Sequence, residues 1–519
     1  MSLRRVGRLA ALVLATLLMI ACGQVYRPVV IPCSENGIPG CPVQTPPIPA
    51  NFHAVFAIST NAPNNPGGAL QIDVSGDSII AETPTSNPSA PNLGDVPTHA
   101  AMLPNNSRVF VASAGSVLPG GIDVVSAFTP AAQAPFATGF GPVNTVPLPT
   151  GSQPVFLNTT QTNAVYVANF GTNSVSVVNP FTNVVANTAL VGFNPVGLAE
   201  LPNANKLYVA NQGTSQATSS VSSLNVADLS SNPVTGFTGT NPVWIVARGD
   251  SQKVYVLTQG DGQLVTIDTA TDTVSSSLPV GAGANFIFFD PNLNRLYVTN
   301  PLTSTVYVFS DTGGAGDTPV QLAAISFAAN SAPCPLGCAP TSVTALADGT
   351  RFYVASYQMA AACPHGSGVT GACIIPGLTV FNANSLSLQY PSAPSLSLLS
   401  YPCAPLPGNN CPFAAGQYAV PPVATCVSPV LPALYAPGAT RFRVFTTASL
   451  DSSHVYVSMC DVGFIADIIT TGSNTNGSGG GPVAPDTLVT DLPTAFGAGP
   501  IQPNGYPANQ NPIFMMTGQ

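Results

Sequence analysis

Charge is scarce in this chain. Only 6% of its 519 residues are Asp, Glu, Lys or Arg, and the formal net charge is −9. Too few cations are present to neutralise a phosphate backbone, so nucleic acid is not an expected partner. Histidine is nearly as rare, with four residues at His53, His99, His365 and His454, and Trp244 is the single tryptophan. No G-x-S-x-G nucleophile elbow, H-E-x-x-H helix, glycine-rich phosphate loop or aspartate-rich calcium loop stands out. Asp261-Gly262 and Asp311-Thr312-Gly313-Gly314 read as turns, because Asp caps its own turn amides and glycine supplies the unusual backbone angles. No catalytic residue, metal ligand or cofactor site is therefore assigned. Long apolar runs are missing as well. The run Leu9–Ala21 falls short of the roughly 20 residues a helix needs to span a bilayer.

What the chain does contain is apolar and small. Hydrophobic residues make up 45% of it, beside 47 glycines and 53 prolines. Many short strands with frequent turns satisfy both facts. The first 22 residues read as an export signal: Arg4, Arg5 and Arg8 precede the apolar run, which ends in Met19-Ile20-Ala21-Cys22. That ending resembles a bacterial lipobox, although Leu is commoner than Met at its first position. The resemblance implies cleavage before Cys22 and lipid attachment there. The expected protein is exported and held on the membrane by its lipid, facing the periplasm or the cell surface. Residues 23–50 are proline-rich and read as a stiff tether.

Eleven cysteines become an even ten once Cys22 is set aside. They fall into neighbouring couples: Cys33 with Cys41, Cys334 with Cys338, Cys363 with Cys373, Cys403 with Cys411, and Cys426 with Cys460. An exported chain meets an oxidising compartment, so disulfides are expected, with proximity the guide to pairing. The C-x3-C spacing at Cys334 has no following histidine pair, which disfavours a metal site.

The remaining chain, 51–519, repeats. Aromatic-centred strands recur around Phe56, Phe110, Tyr166, Tyr208, Tyr255, Tyr297, Tyr353 and Tyr456. Neighbours lie 42 to 56 residues apart except for the last, which follows a cysteine- and proline-rich stretch at about 357–440 read as an insertion. A period of this length without helical patterning fits a four-stranded propeller blade. A proline often opens an apolar run before the aromatic strand, as in PVGLAEL from Pro195 and PVWIVAR from Pro242. A third strand follows, as in NSVSVVN, and then a fourth, as in TVSSSLPVG. In LYVTN, Leu296–Asn300, the alternating side chains are apolar on both faces. A strand covered by a neighbouring blade on each side needs that pattern, so the repeat is read as a packing rule.

The stretch VYVANFGTNSVSVVNPFTNVVANTALVGFNPVGLAELPNANKLYVAN, residues 165–211, resembles the YVTN family of propeller repeats. The resemblance is good near 154–310 and degenerate near 51–150 and after 340. It implies an all-β propeller. Members are commonly seven-bladed, whereas eight aromatic strands are present here. Asn511-Pro512-Ile513-Phe514 looks like a blade-opening strand that completes the first blade, so eight blades are favoured, with seven the alternative.

Two residues beyond each opening proline stand His99, Phe156, Gly197, Trp244, Ser342 and Phe514, with Phe286 in the equivalent place of a copy that lacks the proline. Opening strands lie nearest a propeller's channel. His99, Trp244 and Phe286 are therefore candidate ligand-binding residues, with packing between blades as the competing role. The chain is expected to be a monomeric binding scaffold at the cell envelope, with an envelope protein, a glycan or a small molecule as partner. Similarity of YVTN-type repeats to lactonase propellers implies a sugar-lactone hydrolase as one alternative, and a structural envelope protein is another.

Overall fold

The computed structural model describes residues 54–517 apart from internal stretches, the longest being 85–95, 129–141, 361–371, 399–425, 427–441, 473–483 and 494–510. The expected signal peptide and tether, with Cys22, Cys33 and Cys41, lie outside the described residues. The described chain is all-β. Thirty-two strands form eight antiparallel sheets of four strands each, and these are the eight blades of a propeller.

Seven blades are continuous in sequence, spanning 96–147, 154–190, 195–233, 242–279, 286–326, 339–396 and 444–493, and are called here blades 2 to 8. Each runs outward strand by strand. Blade 1 joins the two ends of the described chain: strands Ala54–Asn61, Asn65–Asp73 and Ser78–Pro84 are completed by Asn511–Thr517 as the innermost strand. Phe56 pairs with Met516 across this closure. Every inner strand touches the inner strand of the next blade, and blade 8 touches the closing strand of blade 1, which completes the ring. The stretch 357–440 is only partly an insertion, because Cys373–Asn382 and Ser395–Leu396 are the third and fourth strands of blade 7.

The recurring aromatics all lie in second strands. Phe56, Phe110, Tyr166, Tyr208, Tyr255, Tyr297, Tyr353 and Tyr456 are 0–2% exposed, because each is covered by sheets on both sides. Burying such a side chain contributes about 1.5–3 kcal/mol. Asn300 closes the LYVTN strand: its Oδ1 accepts from the Leu302 and Thr303 amides, and its Nδ2 donates to the Val280, Gly281 and Ala282 carbonyls. At the other end of the unit, Asp268 Oδ1 accepts from its turn amide at Ala270, as Asn179 and Asn382 do in their own turns.

The tyrosines do more than pack. In blade 4, Tyr208 donates its hydroxyl to Asp272 of blade 5, and Lys206 adds an ion pair to the same carboxylate at 2.8 Å. In blade 5, Tyr255 donates to Asp311, which follows the third strand of blade 6. Lys253 Nζ lies 2.8 Å from Oδ1 of that aspartate and Arg248 Nη1 lies 3.2 Å away. Blade 7 repeats the device toward blade 8, where Tyr353, Arg351 and Tyr390 converge on Asp486. A basic residue two positions before the tyrosine thus forms, with the tyrosine, a latch onto the outer turn of the following blade. Burial raises the tyrosine pKa values, and the bonds to aspartate raise them further.

Blade 6 departs from this pattern. Burial pushes the Tyr297 hydroxyl up to about 12, with Asp290 adding to the effect and the nearby Arg295 opposing it, and among the described residues the hydroxyl has no carboxylate acceptor. Arg295 reaches the Ala383 carbonyl of blade 7 instead. Counting four residues on from the capping Asn382, as Asp272 follows Asp268, gives Leu386. Both positions are left-handed, with φ of 53° at Asp272 and 57° at Leu386. Leucine thus occupies the place where blade 5 carries its acceptor.

Candidate functional site: the axial aromatic ring

Proline lacks the N–H that a ladder needs, so within sheets it sits at strand starts, edges and bulges. In blade 5, Pro242 pairs with Thr258 and Trp244 pairs with Leu257, leaving Val243 as an extra bulged residue. The same shift separates Pro97 from His99, Pro154 from Phe156, Pro195 from Gly197 and Pro340 from Ser342. In blade 1, Pro512 and Phe514 pair with Ser59 and Ile58, so Ile513 is the bulged residue. A bulge re-aims the side chain that follows it. Blades 6 and 8 open without proline and without this bulge, at Phe286↔Thr299 and Phe445↔Ser458. Eight equivalent inner positions result: His99, Phe156, Gly197, Trp244, Phe286, Ser342, Phe445 and Phe514.

Six of these eight carry rings, and the rings form a closed circuit. Centroids are 4.0 Å apart for His99–Phe156, 5.4 Å for Phe156–Trp244 and 5.0 Å for Trp244–Phe286. The circuit continues at 5.6 Å for Phe286–Phe445, 5.1 Å for Phe445–Phe514 and 4.4 Å for Phe514–His99. Four of the six fall within the range of about 4.5–7 Å for attractive aromatic pairs, and the two contacts of His99 are closer. The two small residues make the circuit possible. Gly197 leaves blade 4 without a side chain, so Phe156 and Trp244 meet across it, and Ser342 of blade 7 lets Phe286 reach Phe445. A Cβ at Gly197 would come within 2.9 Å of Ile245 Cγ2. Phe442, two residues before the inner strand of blade 8, adds a seventh ring, 5.7 Å from Trp244 and 5.4 Å from Phe286.

The ring is buried but not sealed. His99, Phe156, Trp244, Phe286, Phe445 and Phe514 each keep 5–9% of their surface accessible, against 0–2% for the aromatics between blades. Around the strand-opening end of the same sector runs a chain of side-chain amides. Gln212 Nε2 donates to Asn241 Oδ1, and Asn241 Nδ2 donates to Gln259 Oε1 at 3.3 Å. Asn241 has a left-handed φ of 52°, as Asn194 does at 54°. On the opposite sector Arg443 stacks over the Tyr357 ring at 5.2 Å and pairs with Asp461 at 3.3 Å, which ties blade 8 to blade 7.

His99 is the titratable member of the ring. Burial lowers its pKa to about 3, so its imidazole is neutral at physiological pH. Nδ1 accepts from the Leu157 amide at 3.2 Å, so the ring proton resides on Nε2. Nε2 is buried and has no hydrogen-bond partner among the described residues. The position therefore offers a hydrogen-bond donor rather than a base.

The structure brings together His99, Trp244 and Phe286, with His99 and Trp244 at 6.4 Å and Trp244 touching Phe286. Phe442 and Phe445 complete the ring and escape the proline rule, since blade 8 opens without one. Their signal in the sequence is the phase of the blade: Phe445 stands opposite Ser458, two residues after Tyr456. Two expected disulfides, Cys334–Cys338 and Cys426–Cys460, are present, and Cys373 is also disulfide-bonded. Cys363, Cys403 and Cys411 lie outside the described residues. The Cys426–Cys460 bridge belongs to the same hydrophobic cluster as Trp244, Phe286, Phe442 and Phe445.

No protein-family model matches the chain, and no curated protein matches it. Solved structures do. The periplasmic gluconolactonase of Pseudomonas aeruginosa aligns over 90% of this chain and 99% of its own at 12% identity, with a TM-score of 0.45. A putative 6-phosphogluconolactonase of Bacteroides uniformis aligns over 85% and 99% at 14% identity, with a TM-score of 0.40. Hydrazine synthase of Kuenenia stuttgartiensis aligns over 67% and 89% at 14% identity, with a TM-score of 0.43. At these identities the likeness concerns the fold.

Proposed function

We propose that this chain is an exported, lipid-anchored binding module that takes a small molecule at the axial aromatic ring. The observation that carries the reading is the difference in exposure between two sets of aromatics. The recurring second-strand aromatics are 0–2% exposed, whereas the six members of the axial circuit are each 5–9% exposed, with the added Phe442 at 1%. A convergent apolar surface with few polar groups, held by rigid strands, is the usual make-up of a small-molecule site. The disulfides support an oxidising location, and Cys22 remains the proposed point of attachment.

The sugar-lactone alternative asks more of the same ring. Hydrolysis of a lactone needs a base to activate water or a group to stabilise the developing oxyanion. His99 presents Nε2–H, which suits the second task and not the first.

Trp244 is the single tryptophan, so its emission reports the ring directly. Acrylamide should quench the native protein measurably, at a rate between those of an exposed and a fully buried indole. A native emission untouched by acrylamide would mean that the axis is closed to solutes, and the reading would fail. For the anchor, Cys22→Ser should move the protein from the membrane fraction to the soluble fraction.

A further inference from the structure

The ring also indicates what kind of molecule it takes, an inference that rests on the reading of the axis as a binding site. His99 lies between two phenyl rings, stacked on Phe156 at an interplanar angle of 24° and tilted by 32° to Phe514. Its faces are therefore occupied, and the two ring nitrogens, both buried, are the atoms left to form hydrogen bonds. One edge atom, Nδ1, is held by the Leu157 amide, and the other, Nε2–H, is buried with no hydrogen-bond partner among the described residues. A buried donor left unpaired is costly, and that cost is recovered when an acceptor arrives. The remaining members of the circuit are Phe156, Trp244, Phe286, Phe445 and Phe514, none of which carries a charge. A charged ligand would lose its hydration against them and gain no counter-ion. Flat rings offer their best contact to another flat apolar face.

We propose that the axial ring selects an uncharged molecule with a flat apolar face and an oxygen acceptor on its edge, the acceptor receiving the Nε2–H of His99. The indole of Trp244, 6.4 Å from the imidazole, lies close enough to report occupancy.

Three probes of similar size separate the elements of this proposal when titrated against Trp244 emission. Acetophenone has the ring and the acceptor, ethylbenzene has the ring alone, and benzoate adds a charge. The native protein should bind acetophenone about tenfold more tightly than ethylbenzene, the ratio expected from pairing one buried donor, and should bind benzoate most weakly. His99→Phe keeps the aromatic volume and removes the donor, so the ratio of acetophenone to ethylbenzene should fall to near one. His99→Gln, which retains a donor, should restore part of it. Saturable binding of acetophenone and ethylbenzene with equal affinity in the native protein would overturn the role of His99 while leaving the binding reading in place. Benzoate binding as tightly as acetophenone would overturn the selection against charge. No saturable response to any of the three would overturn both the inference and the reading beneath it.

Discussion

Replacing Asp311 by asparagine should cost the fold about 3–5 kcal/mol, the usual penalty for leaving a buried charge without its partner. The figure follows from the latch between blades 5 and 6. The Asp311 side chain is 1% exposed and Lys253 is fully buried, with Nζ at 2.8 and 3.0 Å from the two carboxylate oxygens. Arg248 Nη1 and the Tyr255 hydroxyl complete the shell. Asparagine retains one acceptor for Tyr255 but removes the charge that both cations face. Arg248 keeps Asp250 as a partner at 2.7 Å, so the uncompensated charge falls on Lys253. Urea unfolding followed by Trp244 emission measures the loss, because Trp244 lies in the inner strand of blade 5. The paired change Lys253→Met with Asp311→Leu should recover most of it, since a buried ion pair is often replaceable by apolar groups of similar size. A loss below about 1 kcal/mol in Asp311→Asn would refute the claim that this carboxylate is the counter-charge of Lys253.

Leu386→Asp should stabilise the protein, because it supplies an acceptor for the Tyr297 hydroxyl, which has none among the described residues, and a residue more tolerant of a left-handed φ; a gain of about 1 kcal/mol in the same unfolding assay is expected. Burial raises the Asp290 pKa above the ordinary carboxylate value, so ionising it opposes folding and its contribution worsens as pH rises from that value. Asp290→Asn should therefore raise stability at neutral pH and lose its advantage in acid, as read from unfolding midpoints across pH. His99 acts in the opposite sense. Its folded pKa lies below 6.5, so its share of stability is complete above that pH and is lost as pH falls toward about 3, a loss that His99→Phe should lessen in the same pH series. Gly262 has a φ of 65°, and a Cβ there would lie 2.0 Å from the Gly281 carbonyl carbon, so Gly262→Ala should destabilise by several kcal/mol in urea.

Much of the fold was legible because every blade solves one packing problem. The aromatic second strand needs apolar cover on both faces, and that need recurs visibly from Phe56 to Tyr456. The closing strand at Asn511 was legible because proline marks the start of an inner strand. The latches were not. Tyr208 and Asp272 are separated by 64 residues and Tyr353 and Asp486 by 133, and no local pattern announces that a hydroxyl at one will reach a carboxylate at the other. The ring was half visible. The proline rule located His99, Phe156, Trp244 and Phe514, but it could not register that Gly197 and Ser342 matter by leaving room. Nor could it find Phe445, where the rule has no proline to count from. The outer strands of blade 7 were hidden by composition: Cys373–Asn382 sits amid cysteines and prolines, yet its apolar run pairs along the whole of Arg351–Ala360.

The way blade 1 is assembled sets a clock on the molecule. Its inner strand, Asn511–Thr517, comes last in the described chain, yet it pairs with Ala54–Asn61, the first described strand. Seven blades can form as the chain is synthesised, but the circle cannot close until Asn511–Thr517 has arrived. Until then the first blade presents a bare edge for hundreds of residues' worth of synthesis, a long exposure for a strand that can pair with any other.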